Sequence, residues 1–564
     1  MKKYLRTYLS ILAAAAVSLT ACHKVTVTPD SLYTGDVFPK NDEQFQSVIG
    51  NIYTSLRGHY SGSYFFAQEL ASDESIMPVY GGNWLDGSKY IELHRHNWNK
   101  DNAWIQSNWS DVAGLIGLCN QTIYTFRTAP EGDAKVNAIA EIKTLRAWAY
   151  WEMMDMFGNV PLDTIYPSPG VQAKATRAQV FSFVESELKS NLPYLKTAVS
   201  TATYGKVTKW MAFSLLAKMY LNAPVYIGSS KNNECIAACD SVIKSGSFAV
   251  EGRGTYLNQF SPTNGPSFKE FIWAIPYDPG TSNGYNFPAR YDLNRNLGIK
   301  YRYAGSAPGS FSYDQITLDG AGAVKGWYSA GSGYANNKPS GPRATLGSFW
   351  KNYFTQDAGD IRNDQWLYGY QYWPDGTKLT IITTKQGYDA NYKGSDAGDS
   401  IRYHLFIDSA ITLRLDPTIL DVGNDEIAWN MGIRNIKFLP DANSASRNQS
   451  NDIPVFRYSD ILLMKAEAIL RGGTSSATAI SLVNQVRNNR TTSAPWASVT
   501  LDDLYAERSR EFTWECWHRN DMIRFGKFED RYGFKTNTDT YRRIFPLPTN
   551  AMNTNSKLVQ NDGY

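Results

Sequence analysis

Apolar residues recur at helical spacing through two long parts of this sequence, residues 41–248 and 452–564. Phe45, Ile49 and Leu56, for example, follow one another at intervals that place them on one face of a helix. The helices predicted in this way are moderate in length, and short loops separate several of them, so antiparallel helix pairs are the natural packing. The sequence therefore predicts a mainly α fold on a scaffold of tetratricopeptide-like helical hairpins, although it shows no strict repeat.

The character of the sequence changes in residues 249–451. Helical periodicity fades there while Gly, Asn, Ser, Tyr and Trp accumulate, as they do between Trp366 and Trp373. Aromatic residues make up 14% of the whole chain, and a disordered segment would be poorer in them. We therefore expect a large loop-rich, short-strand insertion, the kind of region on which ligand-binding residues tend to lie.

The amino-terminal segment has the features of an export signal. Lys2, Lys3 and Arg6 precede an apolar stretch, residues 9–19, that is too short to span a bilayer. A small residue and Cys22 follow it in the arrangement of a bacterial lipoprotein box. We expect cleavage before Cys22, which then carries the lipid. No later segment has the length of unbroken apolar sequence that a transmembrane helix needs, so this lipid is the expected membrane attachment.

The predicted cleavage also changes the net charge. The full chain has 56 Lys and Arg residues and 53 Asp and Glu residues. Residues 1–21 contain three basic residues and no acidic one, so the mature chain has 53 of each sign. A formally neutral protein lacks the basic surface that nucleic-acid binding normally requires, so no nucleic-acid partner is expected.

These patterns divide the chain into five parts. They are a signal peptide (1–21), a lipidated linker (22–40), an N-terminal tetratricopeptide-like helical part (41–248), a variable loop-rich region (249–451) and a C-terminal helical part (452–564). Residues 22–564 are expected to pack as one unit.

Residues 507–528 combine charged, aromatic, cysteine and histidine side chains more densely than any other stretch. Read as an active site, they offer acids and bases in Glu511, Glu515 and Asp521 and a nucleophile with its partner in Cys516 and His518. Ion-pair networks of this composition are also common in structural scaffolds. We interpret the stretch as scaffold, with arginines and glutamates paired along a helix face and Cys516 a packed thiol.

Two other groups suggest metal binding and are interpreted otherwise. Cys235 and Cys239 lie four residues apart on a predicted helix but have no neighbouring histidine, so they are expected to be buried thiols. His94 and His96 have no third ligand in sight and are expected on a surface strand or loop. The sequence predicts no cofactor and leaves a structural Ca²⁺ open.

Several motifs resemble those of the SusD/RagB family of outer-membrane nutrient-binding lipoproteins. The longest runs from Asp452-Ile-Pro-Val-Phe-Arg-Tyr-Ser-Asp to the glycine pair at residues 472–473. Others are Leu145-Arg-Ala-Trp-Ala-Tyr-Trp with Phe157-Gly-Asn-Val-Pro-Leu162, Asp360-Ile-Arg362, Glu507-Arg-x-Arg-Glu-Phe with Arg519-x-Asp521-x-Ile-Arg524-Phe-Gly-Lys527, Phe545-Pro-Leu-Pro548, and Gln560-Asn-Asp-Gly-Tyr564. Together they span the mature chain in the family's order.

The resemblance implies a tetratricopeptide-like scaffold that carries a variable loop region. It also implies a lipid-anchored protein on the outer membrane, a SusC-like TonB-dependent transporter as partner, and capture of oligosaccharide or polysaccharide for import without catalysis. Some relatives take peptides instead. One departure concerns localisation: His-Lys-Val-Thr follows Cys22, in place of the acidic run that is associated with export to the cell surface.

The ligand site has to be argued from chemistry, because the matching motifs belong to the scaffold. Sugar rings present C–H faces that pack on flat aromatic rings, and their hydroxyls need amide, carboxylate or guanidinium partners. A Gly-flanked loop and the aromatic insertion offer both. The predicted ligand-binding residues are Asp73, Tyr80, Asn83, Trp84, Tyr301, Trp327, Tyr328 and Tyr334, with Trp84 and Trp327 foremost.

Two alternatives remain open at this level. The first is a peptide-capturing lipoprotein of the same family. The second is a secreted glycoside hydrolase, which needs two carboxylates on either side of the scissile bond. The candidates would be Asp73, Glu74, Asp357 and Asp360, but no diagnostic spacing pairs them.

Overall fold

The computed structural model describes residues 38–278, 287–294, 297, 341–372, 376–384, 400–425, 427–440 and 449–564. Helices fill most of the first of these ranges. They are α1 (Asp42–Tyr60), α2 (Ser63–Glu69), α3 (Lys89–Arg95), α4 (Ala103–Phe126), α5 (Asp133–Phe157), α6 (Arg177–Asn191), α7 (Lys209–Leu221), α8 (Ala223–Ile227) and α9 (Asn232–Lys244).

Within the described part of the loop-rich region, one short stretch is α-helical, and longer runs of helix return towards the C-terminus. That short helix is α10 (Gly347–Phe354). The later ones are α11 (Tyr458–Leu470), α12 (Ala479–Arg487), α13 (Leu501–Glu511), α14 (His518–Arg524) and α15 (Thr549–Thr554).

Successive long helices pack on one another as hairpins. Helix α4 packs on α5, and α5 packs on α6. Helix α9 packs on α7 and also on α11, which in turn packs on α12. The C-terminal helices therefore extend the N-terminal array, and the predicted mainly α class with tetratricopeptide-like hairpins is confirmed.

Polar side chains begin these helices where the sequence indicates. The Asn41 carboxamide oxygen accepts from the backbone of Gln44, which caps α1. Thr176 and Thr500 each form a capping box with the residue three positions later, at the start of α6 and of α13. Each cap satisfies backbone N–H groups that a helix leaves without an intrahelical partner.

Short two-stranded antiparallel sheets accompany the helices. The strands are β1 (Val160–Pro161), β2 (Lys174–Ala175), β3 (Phe271–Ile275), β4 (Trp366–Leu367), β5 (Gly369–Tyr370), β6 (Thr380–Thr384), β7 (Ser400–His404), β8 (Phe406–Ile407), β9 (Arg434–Asn435) and β10 (Ile453–Arg457). They pair as β1 with β2, β3 with β10, β4 with β9, β5 with β8, and β6 with β7. Strand β3 lies near the start of the loop-rich region and β10 just after its end, so their pairing holds both ends of that region together.

Helix α5 lies at the centre of the main core. Its residues 144–157 are buried without a break, as expected of a helix that is covered on every side. The Trp148 ring meets Trp273 of β3 at 5.0 Å and Phe456 of β10 at 5.6 Å between ring centroids, both edge to face. The β3–β10 pair therefore packs on the middle of the helical scaffold.

A buried ion-pair network joins the loop-rich region to the C-terminal helices. The carboxylate of Glu511 accepts from Arg457 at 2.7 Å, from Arg490 at 2.9 and 3.0 Å, and from Arg362 at 3.1 Å. All four side chains are at most 1% exposed. Burial alone would raise the pKa of Glu511, but the three guanidinium groups hold it well below its usual range.

Buried ion pairs also involve the Asp360-Ile-Arg362 element and the second half of the 507–528 stretch. Arg362 forms a two-bond pair with Asp360 and also donates to Glu507 at 2.8 Å. Arg508 joins Asp521 at 2.7 Å and Asp460 at 2.8 Å. The prediction that these side chains pair with residues three or four positions away on the same helix face is therefore mostly wrong. Most partners come from distant parts of the chain, because these side chains point into the core.

We expect His59 to make stability depend on pH above neutrality. This buried imidazole lies 3.2 Å from Glu152 and 3.4 Å from Asp111. Burial opposes its charged form, but the two carboxylates together raise its pKa from 6.5 to about 9. A raised folded-state pKa stabilises the fold fully below pH 6.5, and that contribution disappears as the pH rises through about 9.

Chemical denaturation between pH 6 and pH 9.5 should therefore show the free energy of unfolding falling by about 1–3 kcal/mol. His59→Gln cannot take up the proton, so the fall should shrink in that variant. An equal fall in the variant and the wild type would show that another group causes it.

Candidate functional site

The loop at residues 80–84 is fastened by a single carboxylate. Asp421 accepts from the backbone N–H of Gly81 at 2.8 Å and of Gly82 at 3.0 Å. Within the loop, Tyr80 and Asn83 exchange backbone hydrogen bonds of 3.0 and 3.2 Å. A Cβ at Gly81 would lie 2.6 Å from the Cβ of Asn424, so the close approach of the two segments requires glycine there.

The backbone after this turn is strained. Trp84, Asp86 and Ser88 have φ angles of 66°, 43° and 67°, in the left-handed region that residues with a side chain rarely adopt. Such residues cost about 1–3 kcal/mol each and cluster at ligand-binding sites, because the surrounding structure has to impose them. Three of them within five residues mark this loop as a candidate site.

The strained turn presents Trp84 and Asn83 at the surface. Asn83 is exposed and Trp84 is half-buried. The Trp84 ring lies 5.6 Å from the ring of Tyr291, and the Arg290 guanidinium carbon lies 5.8 Å from its centroid. An aromatic face, a carboxamide and a guanidinium group thus occur together; we call Asn83, Trp84, Arg290 and Tyr291 the Trp84 surface.

Tyr80 supports the loop from inside. It is fully buried, and its ring stacks on Trp429 with centroids 3.9 Å apart and planes 9° from parallel. Its hydroxyl donates to the Pro342 carbonyl at 3.0 Å. The ring is therefore covered, in contrast to the exposed aromatic platform expected from its glycine neighbours.

Asp73 lies in a different cavity. Its Oδ1 is 2.6 Å from Nε2 of His518, at the edge of a cleft of about 730 Å³ whose lining includes Phe349 and Tyr505 but neither Asn83 nor Trp84. The structure thus separates two predicted neighbours. The other predicted ligand residues, Tyr301, Trp327, Tyr328 and Tyr334, lie outside the described residues.

Arg290 and Tyr291 were not singled out from the sequence. They follow Phe287-Pro288-Ala289 and belong to no motif. Only the tertiary fold brings them next to Trp84, more than 200 positions earlier in the chain. Composition was the one sequence signal for these two residues, since the surrounding segment is rich in aromatic and polar residues.

The carboxylates of the hydrolase alternative do not form a catalytic pair. Asp360 is bonded to Arg362, and Asp357 accepts from Ser493. Glu74 is buried, and burial together with Glu69 raises its pKa. Within the described residues, only Asp73 of these four lines the 730 Å³ cleft. These four candidate carboxylates therefore do not line that cleft together, although Asp502 and Asp530 line it with Asp73.

The two histidines and two cysteines are core residues. His94 and His96 are buried, so their predicted surface position is wrong; burial lowers the pKa of His94 to about 4. Cys235 and Cys239 are buried free thiols, as predicted. Among the described residues, no three His, Cys, Asp or Glu side chains come together as a metal site would require.

The described helices include none that combines the length and apolar character needed to cross a membrane.

Two family models match the chain. The model described as "SusD family" matches residues 421–564. The model described as "Starch-binding associating with outer membrane" matches residues 59–248. The first match covers the C-terminal helical part and the last 31 residues of the loop-rich region, and the second falls within the N-terminal helical part.

Full-length relatives are similar to the chain at low identity. "Starch-binding protein SusD" of Bacteroides thetaiotaomicron is 23% identical, over 100% of this chain and 99% of that protein. "SusD-like protein P38" of Formosa agariphila is 24% identical over the whole of both chains.

Solved structures share the fold. Surface glycan-binding protein A from Bacteroides thetaiotaomicron, in complex with laminarihexaose, superposes with a TM-score of 0.64 at 18% identity, covering 93% of this chain and 100% of that one. Surface glycan-binding protein A from Bacteroides uniformis gives 0.65 at 20% identity, covering 92% and 99%. At these identities the similarity establishes the fold.

Proposed function

Because the chain belongs to the SusD/RagB family, we propose that it binds oligosaccharide or polysaccharide at the Trp84 surface and passes it to a SusC-like TonB-dependent transporter. The observation that carries the proposal is the strained loop that holds Trp84 half-exposed beside Arg290 and Tyr291. Core packing alone gives no reason to keep three residues in left-handed conformations at the surface.

The chemistry of the Trp84 surface suits a sugar. The indole face packs on sugar C–H groups, while the Asn83 carboxamide and the Arg290 guanidinium hydrogen-bond to hydroxyls. Asp421 holds the loop in place through Gly81 and Gly82, so less conformational entropy is lost on binding. Similar proteins are described as starch-binding and as laminarin-binding, which supports a carbohydrate as the ligand class.

The proposed setting is the outer membrane, with the lipid on Cys22 as anchor and the cell surface as the proposed location. The family model that matches residues 59–248 describes association with the outer membrane. A lipid-anchored binding protein next to a transporter raises the local concentration of ligand at the transporter's entrance. We propose no catalytic step.

The expected result for the purified chain without residues 1–22 is binding of a glycan that remains intact. The test is isothermal titration against starch, laminarin, a hexasaccharide derived from each, and a set of short peptides, followed by chromatography of the recovered glycans. Binding of peptides alone would favour the peptide-capturing alternative. Shortened glycan products would show that the chain is an enzyme.

A further inference from the structure

A second set of aromatic side chains is exposed on the two-stranded sheet formed by β5 and β8. Tyr368, Tyr370 and Tyr372 are 49%, 58% and 43% exposed, whereas Leu367 and Gln371 between and beside them are buried. Tyr370 and Tyr372 lie on one face, because both rings contact the ring of His404. Tyr368 is exposed next to them in sequence, before Gly369, whose φ of 70° interrupts the strand.

Residues of β8 and of the end of β7 complete this face. Phe406, 41% exposed, pairs directly with Tyr370, and their ring centroids are 4.9 Å apart. The His404 ring stacks on Tyr370 at 4.5 Å and meets Tyr372 at 4.8 Å. We call these five residues, Tyr368, Tyr370, Tyr372, His404 and Phe406, the Tyr370 face.

The opposite side of this sheet holds the Tyr370 face in position. It forms a small buried cluster made of Leu293, Leu297, Leu367, Leu379, Leu405 and Ile407. The His404 imidazole also donates from Nε2 to the Gln371 carbonyl at 2.7 Å. Because aliphatic residues on the other side supply the packing, the exposed rings are not required to stabilise the sheet.

The rings of Tyr370, Tyr372, His404 and Phe406 form a contiguous patch. Single exposed apolar residues are normal, whereas the largest contiguous patch on a monomer, about 300–600 Å², is often functional. Within the described residues, no hydrogen-bond partner occupies the hydroxyl of Tyr368, Tyr370 or Tyr372. Flat rings with free hydroxyls at their edges can pack on an apolar surface and hydrogen-bond to a polar one in the same contact.

The size and charge of the face indicate its occupant. With about 200 Å² for each aromatic side chain, the four exposed rings present roughly 400 Å². A stable protein–protein interface needs about 800 Å² from each partner, so the patch is too small for a protein or a second copy of this chain. Its five side chains include no Asp, Glu, Lys or Arg, and the exposed Lys378 pairs with Tyr372 beside them. Aromatic rings next to an ammonium donor match a hydroxyl-rich chain.

We propose that the Tyr370 face is a second carbohydrate-binding surface, which rests on the proposed function and contacts a more distant part of the same polysaccharide. The ring contacts of Trp84 and those of the Tyr370 face share no residue in the described part of the chain. Leu293 of the buried cluster follows Arg290 and Tyr291 by two to three positions, so one short segment supports both surfaces. A chain long enough to touch both gains affinity by multivalency, whereas a short one does not.

The test uses the double variant Tyr368→Ala/Tyr370→Ala. Its matched control is Tyr124→Ala/Tyr194→Ala, which removes two tyrosines that are 36% and 49% exposed on the N-terminal helical part. Retardation in native gels containing starch or laminarin measures binding to polysaccharide. Titration with the corresponding hexasaccharide measures binding at the Trp84 surface alone.

The expected result is a loss of about tenfold in polysaccharide affinity for the Tyr368/Tyr370 variant, with hexasaccharide affinity and melting temperature unchanged. The control variant should match the wild type in both assays. Unchanged polysaccharide affinity would overturn the proposal, and so would an equal loss for the hexasaccharide, which would make the two surfaces one site.

Size-exclusion chromatography tests whether a second copy of the chain occupies the Tyr370 face instead. A wild-type dimer that the Tyr368/Tyr370 variant breaks would assign the face to a second copy of the chain and overturn the proposal. Failure of the proposed function has a different signature, because wild type itself would then bind none of the glycans.

Discussion

Replacing Glu511 with alanine should destabilise the protein by about 3–5 kcal/mol, the cost of leaving buried charges without their partner. Glu511 is fully buried and faces the guanidinium groups of Arg362, Arg457 and Arg490. Glu511 is the carboxylate that all three share, and losing it leaves each of them with one fewer buried partner. Because Arg362 belongs to the loop-rich region and Arg457 ends β10, the substitution should loosen that region from the helical scaffold.

Two further variants test whether loss of the buried charge causes this destabilisation. Glu511→Gln keeps the shape and removes the charge, so it should also be strongly destabilised. Glu131→Ala is the matched control, since Glu131 is 84% exposed and the Lys135 ammonium that it contacts keeps two backbone carbonyl acceptors without it; the contribution of such an exposed carboxylate is about 0–1 kcal/mol. Urea denaturation and soluble yield are the measurements. A Glu511→Ala protein with wild-type stability that no longer bound glycan would reassign Glu511 to the binding site.

Trp84→Ala should lower the affinity for glycan at least about tenfold, which corresponds to about 1.4 kcal/mol. The substitution removes the aromatic face while leaving Asn83 and the Asp421 bonds to the loop in place. Since Trp84 is only half-buried and its backbone is strained, we expect the melting temperature to change by only a few degrees. Isothermal titration and thermal unfolding measure the two effects.

Trp210→Ala is the matched control for Trp84→Ala. Trp210 is also half-buried but lies in the first turn of α7 in the helical scaffold, so its loss should leave glycan affinity unchanged. Trp84→Ala with wild-type affinity and a normal fold would place the site elsewhere. The sequence predicts the same loss for Trp327→Ala, which tests whether the aromatic insertion contributes to the same site.

Much of the scaffold was predictable because its signals are local. Helical spacing of apolar residues and polar N-caps such as Asn41 and Thr500 depend on a few neighbouring positions. The 507–528 stretch was rightly assigned to ion pairs, but its partners were not predictable. Sequence spacing suggests pairs three or four residues apart, whereas Arg362 and Glu511 meet across 149 positions.

The site was less predictable for the same reason. Trp84 and Asn83 stood out because glycines flank them, and the structure places both at the surface. Tyr80 has the same flanks, but its ring is covered by Trp429. Asp73 is near Trp84 in sequence but lines another cleft. Exposure is a property of what packs against a residue, and that neighbour is usually distant in the chain.

By itself the sequence determined the class of fold, the family resemblance and the expectation of a lipid-anchored glycan-binding protein, because periodicity and motifs are written in consecutive residues. Only the tertiary structure decided which aromatic rings are covered and which are exposed. It buried Tyr80, joined Arg290 and Tyr291 to Trp84, and left Tyr370 and its neighbours uncovered. Burial and strain arise from contacts between segments, which no single stretch of sequence contains.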